Sequence, residues 1–309
     1  MSNALEAIQI KKVYGDYTAL NDVSISVPKG SVYGLLGPNG AGKTSLIRII
    51  NQITMPDSGQ IVLNGSPLEP RHIEDIGYMP EERGLYKSMK VGEQCIYLAQ
   101  LKGLSKSQAK ERLNYWFERL GIQGWWNKKL QELSKGMAQK VQFIVTVLHE
   151  PSLLIFDEPF SGFDPVNANL IKDEILKLRD EGATIIFSTH RMESVEEMCD
   201  HIALINKSNL VLEGKLSDVK QRYRDRNYAV SLICADNDFA FKQIPLDFNP
   251  VPIQLSGLDN TLDFKIKIPT NIDIPVAINK LTQIGELTHF SEVIPSVNDI
   301  FIQTVQENG

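Results

Sequence analysis

The sequence predicts an α/β fold, a largely parallel sheet sandwiched by helices, followed by a small α+β tail. Three observations carry the prediction. Through the first two-thirds of the chain, short β-rich runs alternate with helical patterns. Several of those runs, LLIF at 153–156 and TIIF at 184–187 among them, are apolar without interruption, as in strands buried on both faces. The texture then shifts twice, to helix alone between Lys87 and His149 and to short mixed elements beyond Leu216.

In chain order, strands are expected at Ala7–Lys11, Val23–Val27, Val32–Leu36, Gln60–Leu63, Leu153–Phe156, Thr184–Ser188 and Ile202–Asn206. Core helices are expected at Lys43–Gln52, Val166–Glu181 and Met192–Cys199. Val91–Lys102, Lys106–Leu120 and Met137–His149 read as an all-helical insertion, with Trp125 and Trp126 filling its small core. The segment KLSDVKQRYRDRN from Lys215 reads as a helix leading out of the core, its basic run a solvated face. The tail is expected to hold strands Tyr228–Cys234, Leu262–Ile268 and Thr288–Ile294 and helices Pro275–Ile284 and Val297–Val305.

Of 309 residues, 42% are hydrophobic and 23% charged, and the net charge is −6. That suits a globular chain whose core needs no disulfide or metal staple. An acidic chain is a poor general binder of nucleic acid, and none is expected as a partner. Cys95, Cys199 and Cys234 lie far apart and match no zinc spacing; they read as small buried hydrophobes in a reducing compartment. The start, MSNALEAIQIKK, has no basic stretch followed by an apolar one, so no signal peptide is expected. No window approaches about 18 uninterrupted apolar residues, so no membrane span is expected either.

Chemistry is concentrated in three places. Gly37-Pro38-Asn39-Gly40-Ala41-Gly42-Lys43-Thr44 matches GxxxxGK[ST], and Ser45 follows it. Glycines let such a loop curl so that backbone N–H groups face an anion, and the next helix adds its positive end. Lys43 is expected to charge-pair with the β- and γ-phosphates of ATP, and the Thr44 hydroxyl to ligate Mg²⁺. Leu153–Glu158 is an apolar run ending in two acids, an ordinary strand end by itself. Beside a phosphate loop, Asp157 is the expected Mg²⁺ ligand, and Glu158 the group that orients and deprotonates the attacking water. His190 follows Ser188-Thr189 at the end of a neighbouring run, on the edge where ligands bind in such sheets, and is expected to touch the γ-phosphate.

Over about residues 4–217 the chain resembles the ATP-binding subunits of ABC transporters. Several motifs in order carry the resemblance. Tyr14, before Gly15, looks like the aromatic that stacks on adenine. Leu133-Ser134-Lys135-Gly136-Met137 resembles the LSGGQ signature at the start of a helix. Ser161-Gly162-Phe163-Asp164 stands where the family has its D-loop, and His190 where it has its switch histidine. MPEERGLY, ELSKGM and PSVNDIFIQTV are similar to the ATP-binding proteins of ABC-2 type exporters, of the sodium-extruding and multidrug-exporting group, which commonly carry a small C-terminal domain.

The resemblance implies a phosphate-loop ATPase core at 1–217 with an antiparallel β-subdomain and a helical subdomain near 87–149, and an accessory domain at 218–309. It implies that Ser134, Lys135, Gly136 and Met137 bind the γ-phosphate held by a second chain, so that two chains, alike or similar, complete two sites. It also implies an integral-membrane permease as partner and a place on the cytoplasmic face of the membrane. A groove beside the Glu81–Leu85 loop, with Arg83 and Tyr86, is the expected docking surface. Lys135 and Met137 replace Gly and Gln of LSGGQ, while Ser134 and Gly136 remain. Glu81 stands where the family has the glutamine of its Q-loop; it is expected to face hydrated Mg²⁺, but a carboxylate donates no hydrogen bond. The competing reading is a soluble ABC ATPase without a permease. A regulatory module without turnover is weakened by the presence of Asp157, Glu158 and His190.

Overall fold

A computed structural model describes residues 2–82, 84–254 and 261–307. The chain divides into two compact units, Met1–Ser217 with Phe301–Gly309, and Asp218–Ile300.

The first unit opens with the hairpin β1 (Asn3–Tyr14) and β2 (Tyr17–Pro28), followed by β3 (Val32–Leu36) and helix α1 (Lys43–Ile50). β4 (Ser58–Leu63), β5 (Ser66–Pro67) and β6 (Ile76–Met79) come next. Helices α2 (Val91–Leu101), α3 (Lys106–Arg119) and α4 (Lys135–Val147) form the insertion. β7 (Leu153–Asp157), α5 (Pro165–Asp180), β8 (Thr184–Ser188), α6 (Met192–Met198), β9 (His201–Asn206) and β10 (Asn209–Lys215) complete it, and α7 (Leu216–Arg222) begins in this unit and runs into the second.

Two sheets result. β2-β1-β4-β5 is antiparallel, and β10-β9-β3-β8-β7-β6 is parallel except for its β10 edge. β3, β7 and β8 are buried at every residue, which is why their sequences are apolar throughout. A shared core lies between the sheets. Leu5, Ile10, Val23 and Ile25 meet Leu46, Ile47 and Ile50 of α1 and Leu35, Ile155 and Ile186 of the parallel sheet.

In this unit β5, β6 and β10 fall outside the expected strands. β6 has four residues and a central glycine, too short a pattern to read. Gly77 is needed there: a Cβ would lie 2.4 Å from the Thr146 carbonyl oxygen. Helix α4 therefore packs directly on β6. In the helical insertion Trp126 fills the small core as expected, its indole lying where a Gly92 Cβ would be and edge-on to Phe117.

His149, just after α4, puts its Nε2 3.2 Å from the Ile76 carbonyl oxygen, a contact that needs a proton on Nε2 to donate. Burial first, and the charges of Lys102 and Arg112, bring its pKa from 6.5 to about 4. The unfolded chain therefore takes up this proton first as pH falls. The contribution is complete above pH 6.5 and lost towards pH 4, by up to about 3 kcal/mol. Urea melts of His149→Gln are expected to show a flatter profile across that window.

The second unit holds β11 (Asn227–Ile233), α8 (Asn237–Gln243), β12 (Val251–Pro252), β13 (Thr261–Lys267), α9 (Ile274–Thr282) and β14 (Glu286–Glu292). Its sheet, β12-β13-β11-β14, is antiparallel. Tyr228, Val230 and Leu232 alternate along β11 and pack with Leu262, Phe264 and Ile266 of β13 and with Ala240, Ala277 and Leu281 of the helices, a core of its own. α10 (Val297–Glu307) crosses the division between the units. Among the described residues no helix is long and apolar enough to cross a membrane.

Candidate functional site

The carboxyl ends of β3, β8, β7 and β6 open on one cavity. Registers fix the arrangement: Leu35 pairs with Ser188, Ser188 with Asp157, and Phe156 with Met79. The cavity, of about 170 Å³, is lined by Tyr17, Asn39, Gly40, Ala41, Gly42, Lys43, Thr44, Ser45, Glu81, Asp157, Glu158 and Ser188. Residues separated by more than a hundred positions in sequence thus meet at the edge where ligands bind in such sheets.

The loop from Gly37 to Gly42 turns on glycines that no other residue could replace. Gly37 has φ 148°, and a Cβ there would sit 2.1 Å from the Ile205 carbonyl oxygen; Gly42 has φ 118°, with Ala19 O at 2.4 Å. Gly42 precedes α1 and gives it no side-chain cap, and the first turn of α1 carries no acid. The leading N–H groups of that helix are therefore left for an anion to satisfy. Lys43 Nζ donates to the Gly37 and Pro38 carbonyls at 2.7 and 3.1 Å, folded over its own loop. Burial lowers the Lys43 pKa, while Asp157, Glu158 and Glu81 pull it upward.

Asp157 ends β7, almost wholly buried. Burial raises its pKa, Glu81 and Glu158 push the same way, and Lys43 opposes them. Glu158 leaves the strand with φ 50°, a left-handed conformation that is rare and costly for a residue with a side chain. The turn aims its carboxylate at the end of β8. It accepts from the His190 backbone N–H and lies 2.7 Å from His190 Nδ1, with the Thr189 hydroxyl at 3.2 Å. Sequence spacing placed His190 near this edge; its direct contact with Glu158 is a structural finding.

The other expected residues do not line this cavity. Tyr14 is exposed, with Lys12 Nζ 5.3 Å from its ring centre. Tyr17, which sequence reasoning missed, lines the cavity, and its hydroxyl donates to the Gly40 carbonyl at 2.5 Å. The signal was present: a turn of two residues makes Tyr17 the cross-strand partner of Tyr14. Ser134 caps α4, its hydroxyl accepting from Met137 N–H at 3.2 Å. Lys135 lays its aliphatic stem over Gly162, and Gly136 faces the Gly162 carbonyl. Asp164 caps α5, accepting from the N–H groups of Val166 and Asn167, each at 3.0 Å. Arg83 lies outside the described residues; Tyr86 is exposed while its backbone is clamped by Gln94.

A glycine loop at a helix start, two acids at the end of the next-but-one strand and a histidine between them define a phosphate-loop ATPase. Residues 20–161 match the family ABC transporter, and residues 214–305 match "ATP-binding protein DrrA1-3-like, C-terminal domain". The chain is 41% identical over 297 residues to the uncharacterized ABC transporter ATP-binding protein YhaQ of Bacillus subtilis, covering 96% of each. It is 34% identical to the linearmycin resistance ATP-binding protein LnrL of the same organism, over 71% of each chain. A solved ATP-binding subunit of an ABC transporter superposes with TM-score 0.67 and 30% identity, over 71% of this chain and 93% of that one. The chain belongs to the ABC transporter ATP-binding proteins. It is a nucleotide-binding ATPase, and the narrower resemblance through its C-terminal domain holds as well.

Proposed function

We propose that this chain dimerises on ATP and drives export through a separate membrane permease, seated at the cytoplasmic face of the membrane. One observation carries the reading. Ser134, Lys135, Gly136 and Met137 head a helix whose N-terminus suits an anion, yet none of them lines the chain's own phosphate cavity. A second copy, or a similar chain, would bring that motif to the γ-phosphate and complete two sites about a two-fold axis. The chain's similarity to a relative named for linearmycin resistance supports export.

Within each site the loop 37–42 and the first turn of α1 wrap the phosphates, with Lys43 turning from its own carbonyls to the anion. Thr44 and Asp157 are suited to Mg²⁺. Asp157 is buried beside two further acids with one lysine, a charge imbalance that a divalent cation relieves. Bound there, Mg²⁺ would neutralise charge on the phosphates. Glu158 orients and deprotonates water, and His190 exchanges its contact with Glu158 for the γ-phosphate. Asp164 shapes the loop beside the partner's site, and Glu81, which lines the cavity, would face Mg²⁺ bound there. Tyr14 stacks on adenine while Tyr17 holds the loop. Tyr17→Phe is therefore expected to weaken ATP, GTP and tripolyphosphate alike, by about three- to ten-fold. Tyr14→Ala should weaken only the two that carry a base, in competition against a fluorescent nucleotide.

The permease reading is tested by reconstituting the chain with a candidate permease in lipid. ATPase activity is expected to rise several-fold, and Tyr86→Ala, on the exposed loop next to the helical insertion, to reduce the stimulation while sparing basal turnover. No stimulation by any co-purifying membrane protein would favour the soluble ATPase.

A further inference from the structure

One face of α4 ties the signature motif to both acid-bearing loops of the same chain. Gln139, Gln142 and Thr146 recur at the helical period and so share that face. Gln139 Nε2 donates to the Pro159 carbonyl at 3.3 Å, just past Glu158. Gln142 Nε2 donates to the Pro80 carbonyl at 2.8 Å, just before Glu81. Thr146 Oγ1 donates to the Gln142 carbonyl of its own helix at 2.9 Å and lies 3.4 Å from the Tyr78 carbonyl. The β6–β7 ladder ends at Met79 and Phe156. Pro80 has no N–H with which to extend it. Past Met79 the chain is held from the helix instead.

We infer that Gln142 is a positioning residue for Glu81, fixing the loop that carries this acid from the helix headed by Ser134. Gln142 is 4% exposed, and its Oε1 is buried with no hydrogen-bond partner among the described residues. An apolar side chain of the same size would avoid that desolvation. The position is explained by the bond the amide makes to Pro80. Glu81 itself lines the phosphate cavity with Lys43 and Asp157. The consequence is a direct mechanical path. A γ-phosphate seated on the first turn of α4 by the second chain bears on Glu81 in the first chain's own site. This rests on the proposed composite site; the placing of Glu81 by Gln142 does not.

The test is a double-mutant cycle. Gln142→Met keeps the volume and removes the donor. It is expected to lower kcat about five-fold with KM for ATP within about two-fold of wild type. In an Glu81→Ala background the same change should cost less than about two-fold, because Gln142 acts through Glu81. An undiminished kcat, or an equal loss in both backgrounds, would overturn the inference. Gln142→Glu guards against a misfolded variant. A protonated carboxyl can donate to Pro80 and an ionised one cannot, so its activity relative to wild type should fall as pH rises. A pH-independent ratio contradicts the inference. Should the composite site itself fail, cleavage at Glu81 and Glu82 by a glutamate-specific protease still decides: about ten-fold faster in Gln142→Met supports the positioning, an unchanged rate refutes it.

Discussion

Glu158→Gln is expected to bind ATP within about two-fold of wild type and to lose about 10²–10⁴-fold in turnover, the range for removing a positioned general base. The geometry explains both halves. Glu158 takes no part in holding the loop 37–42, so binding survives. Its carboxylate is the group that the turn at φ 50° aims towards the cavity and His190, so the chemistry does not. The amide keeps the shape but has little basicity. An ATP-loaded dimer should accumulate and appear in light scattering at twice the 34.7 kDa chain mass. Steady-state hydrolysis near the wild-type rate would remove Glu158 from this role.

Mixing two inactive chains should restore activity. Lys43→Ala spoils the phosphate cavity, and Ser134→Arg spoils the cap of α4 and the anion site at its head. Each homodimer then has no sound site. A heterodimer has one sound site and one doubly broken site. Random pairing makes half of the dimers mixed, so recovery of up to about a quarter of wild-type turnover is expected. A mixture as inactive as its parts, with both chains folded, would show that the two halves do not meet across chains.

Much of this site is legible in sequence because its chemistry is local. A phosphate loop needs its glycines and lysine at fixed spacing, and the structure shows why: a Cβ at Gly37 or Gly42 would strike backbone. Asp157 and Glu158 are legible because the strand before them is buried on both faces and therefore apolar. What escaped is what the fold alone brings together. Tyr17 gains its position from the register with Tyr14 and the approach of Gly40, separated by many residues. Gln142 looks like a polar interruption in an apolar helix until β6 is placed beneath it. β6 itself is four residues long, and its glycine reflects contact with Thr146 rather than any strand preference. In the second unit, β11 and β13 announce themselves by alternation, whereas the seven-residue α8 carries too little periodicity to be seen.

The central claim is that one chain's Ser134 completes another chain's phosphate cavity. Site-directed cross-linking tests it most directly. One preparation carries Asn39→Cys and another Ser134→Cys, both exposed positions, in a background where the partly exposed Cys234 is serine. Mixed under mild oxidant with Mg-ATP, in the Glu158→Gln form, the two are expected to give a covalent heterodimer that is absent without nucleotide. A chain carrying both cysteines should form the same link between chains and none within itself. An intrachain link, or no link at all when ATP is bound, would contradict the two-fold composite site.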